Sequence, residues 1–293
     1  MESGNDNDAR EVLAPGRVPL FCDTALAGRI ERVEAQFIAG CCEAARRRTG
    51  TAGFAIPVAG GVASFAGEGS PYNKVAGLGF AGVPDSAALD EIERAFAACA
   101  CPVQVELAHL ADPEIGALLT ARGYRLESFE NVLGRDLAGG FQPVTPPGVE
   151  VRRSGAGELE AWLDVVAEGS ASPDTQGVPW HEEFPREVIV GAERDGIAAG
   201  AVRYAGLRGG IIAGGATMRI AEGVAQLTGA ATAPAHRRRG VQTALLSARL
   251  ADAAAAGCDI AVIVTQPGSK SQQNAQRQGF DLLYARAVLV RHP

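Results

Sequence analysis

The stretch of this sequence best equipped for chemistry runs Thr232-Ala-Pro-Ala-His-Arg237-Arg238-Arg239-Gly240-Val241-Gln242-Thr-Ala-Leu-Leu246. It joins a strand pattern to a helix pattern. The first amides of a helix lack backbone partners and sit at the positive end of a dipole worth about half an elementary charge, which suits a bound anion. Gly240 lets the chain approach a ligand without a side chain, and the three arginines add charge that survives any pH. Arginines ahead of a helix start are unfavourable without an anion. The loop therefore reads as a cradle for a diphosphate rather than as a solvated basic turn.

The elements that must position this loop follow from periodicity. Thr232 closes a strand over Val224–Thr232, and the loop opens a helix over Val241–Ala256, followed by a strand over Ile260–Thr265 and a helix over Ser271–Gln278. Strands to Arg291 complete this half. Before the loop come a strand over Val149–Arg153, a helix over Gly157–Glu168, a loop carrying Trp180 and His181, and strands over Ile197–Tyr204 and Gly210–Arg219. Upstream, an amphipathic helix spans Thr24–Arg48, with short apolar strands at Gly53–Val58, Gly61–Ala66 and Val75–Phe80. A helix over Asp85–Ala100, strand Val103–Leu107, helix Asp112–Arg122 and strand Tyr124–Leu133 follow. Between the halves, residues 138–148 hold three prolines and three glycines without periodicity, as a linker would. The division is an arm over 1–20, one domain over 21–137, the linker 138–148 and a second domain over 149–293.

The halves resemble one another. A shift of 156 positions carries Gly123-Tyr124 onto Gly279-Phe280, Val132-Leu133 onto Val288-Leu289, Arg135 onto Arg291 and Ala88-Leu89 onto Ala244-Leu245. Under the same shift the arginine loop falls on Phe80-Ala-Gly-Val-Pro-Asp85-Ser86, which has no arginine and gains a carboxylate. The first copy is expected to be degenerate.

Composition bounds the rest. With 293 residues, 47% apolar and 21% charged, the chain can bury two cores at roughly 100 to 200 residues each. A net charge of −7 argues against nucleic acid or an anionic membrane and suits a cationic substrate. The six cysteines fall in no paired C-x-x-C spacing, so no metal is expected and the thiols read as free in a reducing compartment. Met1–Val12 is acidic where a signal peptide is basic, and no run approaches a membrane span. A cytoplasmic protein is the expectation.

Arg237-x-x-Gly240-x-Gln242, after a strand and Pro234, resembles the acetyl-CoA signature of the GNAT N-acetyltransferase superfamily, over residues 149–293. Gln242 departs from the family's Gly or Ala. The resemblance implies an α/β fold of two tandem GNAT-like domains, each a mixed, mostly antiparallel sheet flanked by helices, with splayed central strands in the second. It implies that Ala230, Ala231 and Thr232 bind the pantetheine arm and the acetyl carbonyl. The amides of Arg238, Arg239, Gly240, Val241, Gln242 and Thr243, with Arg237, would hold the pyrophosphate, and Asn274 and Arg277 would reach the CoA arm and its phosphates. The catalytic candidates that follow are Glu222 as base, with Gln226 beside it on the strand, and Tyr284 as acid, because Ala275 stands where the family places a tyrosine. An exposed hairpin carboxylate is the plain alternative for Glu222. Trp180 and His181 fall where the family shapes its acceptor pocket. The function implied is direct, metal-free acetyl transfer from acetyl-CoA to the amine of a small molecule. Transfer to a thiol-sugar or a protein N-terminus, and a non-catalytic CoA sensor, stand as alternatives; a homodimer is left open.

Overall fold

The computed structural model describes residues 18–172, 178 and 184–293. The first half runs α1 (Thr24–Thr49), β1 (Phe54–Val58), β2 (Gly61–Phe65), β3 (Lys74–Ala76), α2 (Ser86–Ala98), β4 (Val103–Ala108), α3 (Glu114–Ala121) and β5 (Arg125–Asp136). The second runs β6 (Glu150–Arg153), α4 (Leu159–Ala171), α5 (Arg186–Ala198), β7 (Val202–Arg208), β8 (Ile211–Ala221), β9 (Val224–Thr232), α6 (Val241–Ala255), β10 (Ile260–Thr265), α7 (Lys270–Arg277) and β11 (Asp281–Arg291). Among the described residues no helix is long and apolar enough to cross a membrane.

The repeat seen in the sequence is structural. Shifting by 156 positions lays α3 on α7 end to end and starts β5 where β11 starts. Three strands, a helix, a strand, a helix and a closing strand recur in both halves. The halves differ ahead of this unit, where the first has the single helix α1 and the second has β6, α4 and α5.

All eleven strands join one sheet in the order β1-β2-β3-β4-β11-β5-β10-β9-β8-β7-β6. Each half gives its closing strand to the other. β11 pairs antiparallel with β4, Val103 opposite Arg291, and β5 pairs antiparallel with β10, Asp136 opposite Ile260. The two exchanged strands also pair with each other, Leu126 opposite Leu289 and Leu133 opposite Leu282, two pairings that the 156-residue shift interconverts. The division at 138–148 thus separates chain segments, while the sheet itself runs on unbroken through both halves.

Helix α1 seals this junction. Asp23 caps it by accepting the Leu26 amide at 2.8 Å, and Ala27, Ile30 and Val33 pack on Val132, Val224, Ile260, Val262 and Tyr284 from both halves. Under it Arg286 of β11, 1% exposed, donates to Glu31 at 2.8 Å and lies 3.5 Å from Glu106 and 3.6 Å from Glu130. Removing the guanidinium leaves buried carboxylates uncompensated, a loss of about 3–5 kcal/mol.

Helix α5 lies where the sequence predicts a loop and then a strand from Ile197. The two glycines of this helix are what the packing needs. A Cβ on Gly196 would stand 3.3 Å from the Tyr72 hydroxyl and 3.4 Å from Phe37, so the helix lies directly against the first half.

Strand exchange has a measurable consequence. A chain cleaved within 138–148 stays associated on size-exclusion chromatography, because six residue pairs hold β5 to β10 and six hold β11 to β4. Residues 149–293 produced alone expose the β10 edge and are expected to aggregate or to dimerise, which native mass spectrometry distinguishes.

Candidate functional site

The site begins with a break in pairing. β9 and β10 are parallel partners only at Val224–Gln226 against Ile260–Val262; beyond these residues they separate. On its other side β9 stays bound to β8 as far as Thr232, opposite Gly214. The Ala233 amide donates to Ala213 at 3.0 Å. Alternation in an antiparallel ladder then turns Ala231 toward β8 and leaves the backbone groups of Ala230 and Thr232 facing the gap. The hydroxyls of Thr232 and Thr265, at the ends of the two splayed strands, are buried and have no hydrogen-bond partner.

A bulge starts the divergence. Leu227 and Thr228 of β9 together oppose Met218 of β8. Arg249 of α6, 2% exposed, holds the bulge from beneath, donating to the Thr217 carbonyl at 2.9 Å and the Gly229 carbonyl at 3.2 Å. Burial pulls this guanidinium down to about 10, so it is charged at neutral pH.

The gap leads to the start of α6. Gly240 caps it in the left-handed conformation, φ +81°, with no side-chain bond, and Ala244 is the first amide engaged within the helix, donating to the Gly240 carbonyl at 2.9 Å. The first-turn amides of Val241, Gln242 and Thr243 are therefore open to an anion, with the exposed side chains of Arg238 and Arg239 beside them.

Residues 150–271 match the family model described as an acetyltransferase (GNAT) domain. The C-terminal half is a GNAT domain. The whole chain is similar in structure to a GCN5-related N-acetyltransferase from Kribbella flavida, at 23% identity and TM-score 0.62, over 92% of this chain and 96% of that one. It is also similar to a tandem GNAT protein from the clavulanic acid biosynthesis pathway, at 12% identity and TM-score 0.57, over 94% and 97% of the two chains. A GCN5-related N-acetyltransferase from Sphaerobacter thermophilus aligns over 70% of this chain and 65% of that one, at 16% identity and TM-score 0.52. At these identities the likeness is one of fold, two GNAT-like units in tandem. No curated protein matches the sequence.

Several residues that the sequence nominated for the GNAT site stand elsewhere. Arg237 is turned inward, its guanidinium donating to the carbonyls of Gly169 at 3.0 Å, Ser172 and Thr232 at 3.3 Å, so it ties the loop to the end of α4. Gly240 has its φ and a neighbour to explain it, since a Cβ there would meet Pro146 at 2.5 Å. Glu222 occupies the β8–β9 hairpin, roughly 30 Å of strand from Thr232 at about 3.3 Å per residue. Hydrogen bonds from Arg32 and Gln36 hold its carboxyl below the usual range, which makes it an anchor for α1 and removes it as base. Tyr284 is 1% exposed and donates to Glu31 at 2.7 Å, with β5 between its strand and β10. Burial pushes its hydroxyl well above the ordinary value, and its engagement with Glu31 two strands from β10 keeps it out of reach of the gap. Gln226 points at α1, donating to Glu34 at 2.7 Å and accepting from Arg219 at 2.9 Å. Ala275 is fully buried in the core under α6. Asn274 is half-buried and Arg277 exposed on α7; Trp180 and His181 lie outside the described residues.

Two residues escaped the sequence. Arg249 lies within the expected helix over Val241–Ala256, where nothing in its spacing marks it as buried. Glu193 lies on the unforeseen α5, and its Oε1 stands 3.2 Å from where a Cβ on Gly229 would be, at the mouth of the gap.

Among the described residues of the first half, neither the strand gap nor the open helix start recurs. β3 and β4 pair at Val75–Val105 and Ala76–Glu106, positions whose shifted equivalents 231 and 232 have no partner on β10 in the second half. The Lys74–Glu106 ion pair fills the same place. Asp85 caps α2 with its own carboxylate, accepting the Ala88 amide at 2.8 Å, so that helix start already has its anion.

Replacing Arg238 and Arg239 together by Ala removes exposed charge beside the open amides. Calorimetry is expected to show CoA affinity reduced about tenfold or more, with a shallower salt dependence and an unchanged melting temperature. Gly240→Ala tests the other half of the loop, and thermal unfolding should show about 1–3 kcal/mol of lost stability from the left-handed backbone and the Pro146 contact.

Proposed function

We propose that the chain is an acetyl-CoA-dependent N-acetyltransferase that binds one acetyl-CoA in its C-terminal GNAT domain and passes the acetyl group directly to the amine of a small molecule. The observation that carries this reading is the continuous path from the bulge at Leu227 and Thr228, along the gap between β9 and β10, to the uncapped start of α6. A pantetheine arm is a chain of amides, and the outward backbone of Ala230 and Thr232 can hold it as an added strand. The amides of Val241–Thr243 and the charges of Arg238 and Arg239 suit the diphosphate, and Asn274 and Arg277 of α7 are assigned to the CoA arm and its phosphates. The orphan hydroxyls of Thr232 and Thr265 supply polar contacts that the protein alone leaves unmade.

The bound thioester supplies an acyl group already activated toward attack. The protein's task is to hold the carbonyl where amide donors meet the charge that develops on its oxygen, and to take a proton from the incoming ammonium. Arg249 keeps the bulge open and places a fixed positive charge behind it. The overall charge of −7 favours a cationic acceptor.

A CoA-binding sensor is the second reading. It draws on Ala275 and the sealed Tyr284, which together leave the site without a tyrosine acid. Release of free CoA from acetyl-CoA across a panel of primary amines separates the two, because a sensor binds without turnover. Titration of the full chain with CoA should give one site. Two sites of comparable affinity would contradict the closed β3–β4 pairing and the Asp85 cap of the first half.

A further inference from the structure

The geometry points to Glu193 as the base of this transfer, held in place by two side chains of the first half, Tyr72 and Arg48. The inference rests on the acetyltransferase reading above.

Glu193 is on α5, and the residues on either side of it are the ones the first half grips. The Tyr72 hydroxyl donates to the Ala192 carbonyl at 3.0 Å. Arg48, at the end of α1, donates to both oxygens of Asp195 at 2.8 Å and 2.7 Å. Asp195 is 3% exposed, so this bidentate pair is anchored on its acidic side. Gly196 packs on Tyr72 and Phe37. Between these points Glu193 faces β9, its Oε1 beside Gly229 and near the Thr217 hydroxyl, where Arg249 has opened the bulge. No described hydrogen bond or ion pair engages its carboxylate.

The surroundings leave that carboxylate uncompensated. Tyr72, from the loop before β3, lies beside it, and the neighbouring elements carry Glu34, Cys41 and Arg48 on α1, Arg219 on β8 and Glu160 on α4. Gln226 donates to Glu34, Arg219 is spent on Gln226 and the Val33 carbonyl, Arg48 on Asp195, and Glu160 on Arg194. Cys41 and Tyr72 are both raised by burial and stay neutral at pH 7. Burial then pushes Glu193 up to about 7, close to where a general base works best. In the step proposed, the Glu193 carboxylate takes one proton from the acceptor ammonium. The freed nitrogen pair forms the C–N bond as the C–S bond breaks, and the nitrogen's second proton neutralises the departing thiolate. The products are the amide, CoA thiol and one proton left on Glu193 for release to water.

Carbon-13 NMR of the full chain labelled at glutamate Cδ reads the group without needing an acceptor. The resonance absent from Glu193→Gln should titrate near 7. In Tyr72→Phe and Arg48→Met it should move toward the ordinary carboxylate range as α5 loosens and water enters, and Glu43→Gln, an exposed change on α1, should leave it unmoved. A carboxyl that is easier to protonate in the folded state destabilises that state as pH rises from about 4.5 through 7. Glu193→Gln should therefore melt higher than the wild type at pH 8 and equally at pH 4.5. With a panel of ethanolamine, putrescine and benzylamine, kcat/KM should rise tenfold per pH unit below 7 and level off above it. Glu193→Gln should lose that limb and about a hundredfold in turnover at unchanged acetyl-CoA affinity. Titration below 5, or no melting gain at pH 8, overturns the assignment whether or not an amine in the panel reacts. Loss of the positioning role is shown by Tyr72→Phe and Arg48→Met both leaving the titration and the pH limb in place. Absence of acetyl-CoA binding in the wild type would instead defeat the cradle.

Discussion

The reciprocal pairing of β11 with β4 and of β5 with β10 is the constraint on which the rest of the molecule depends. Because β5 satisfies the far side of β10, β10 can part from β9 after three residue pairs without becoming a free edge. The gap proposed as the cradle is thus affordable only with a strand borrowed from the other half. The exchange also brings Arg286 opposite Glu130, residues that the 156-residue shift places in equivalent positions, so the pseudo-axis of the duplication passes through a buried ion cluster.

The duplication has left two copies with divided labour. In the second, β9 and β10 part after three residue pairs and the start of α6 carries no side-chain cap. In the first, Lys74, Glu106 and Asp85 occupy the matching places. What the first copy provides is α1, a 26-residue helix that crosses the junction, packs on α5 and secures Glu222 at the far hairpin. Buried carboxylates gather beneath it, and Glu130 among them is pushed up to about 7 by its removal from water and by Glu106.

Much of this was legible in the sequence, for reasons particular to each element. The repeat survived because α3 and α7, and β5 and β11, keep the same spacing from the glycine turns before the closing strands. The arginine loop stood out as a candidate anion site because arginine ahead of a helix has no local justification. Periodicity could not show that Arg237 bends back onto α4, because a side chain's destination depends on tertiary contacts. Glu222 and Tyr284 had residue types suited to a base and an acid, yet a hairpin end and an exchanged strand put them out of reach. Glu193 left no mark at all, since α5 presents glycines and a charged face where an amphipathic pattern would show apolar residues.

The order in which the chain is made gives the swapped strands another meaning. A ribosome delivers β4 long before residues 281–291 exist, so the first half must wait through the synthesis of the entire second half with its β4 edge uncovered and β5 without β10. For that interval β5 and β4 are each other's nearest unsatisfied partners, and closing on one another would copy within one half the pairing that the finished molecule makes between halves. Completion then requires that this provisional pairing open, or never form, before the last strand arrives. The same arrangement that makes the cradle possible makes the nascent protein vulnerable to trapping, and a holdase that covers the β4 edge would favour the exchanged form over the self-closed one.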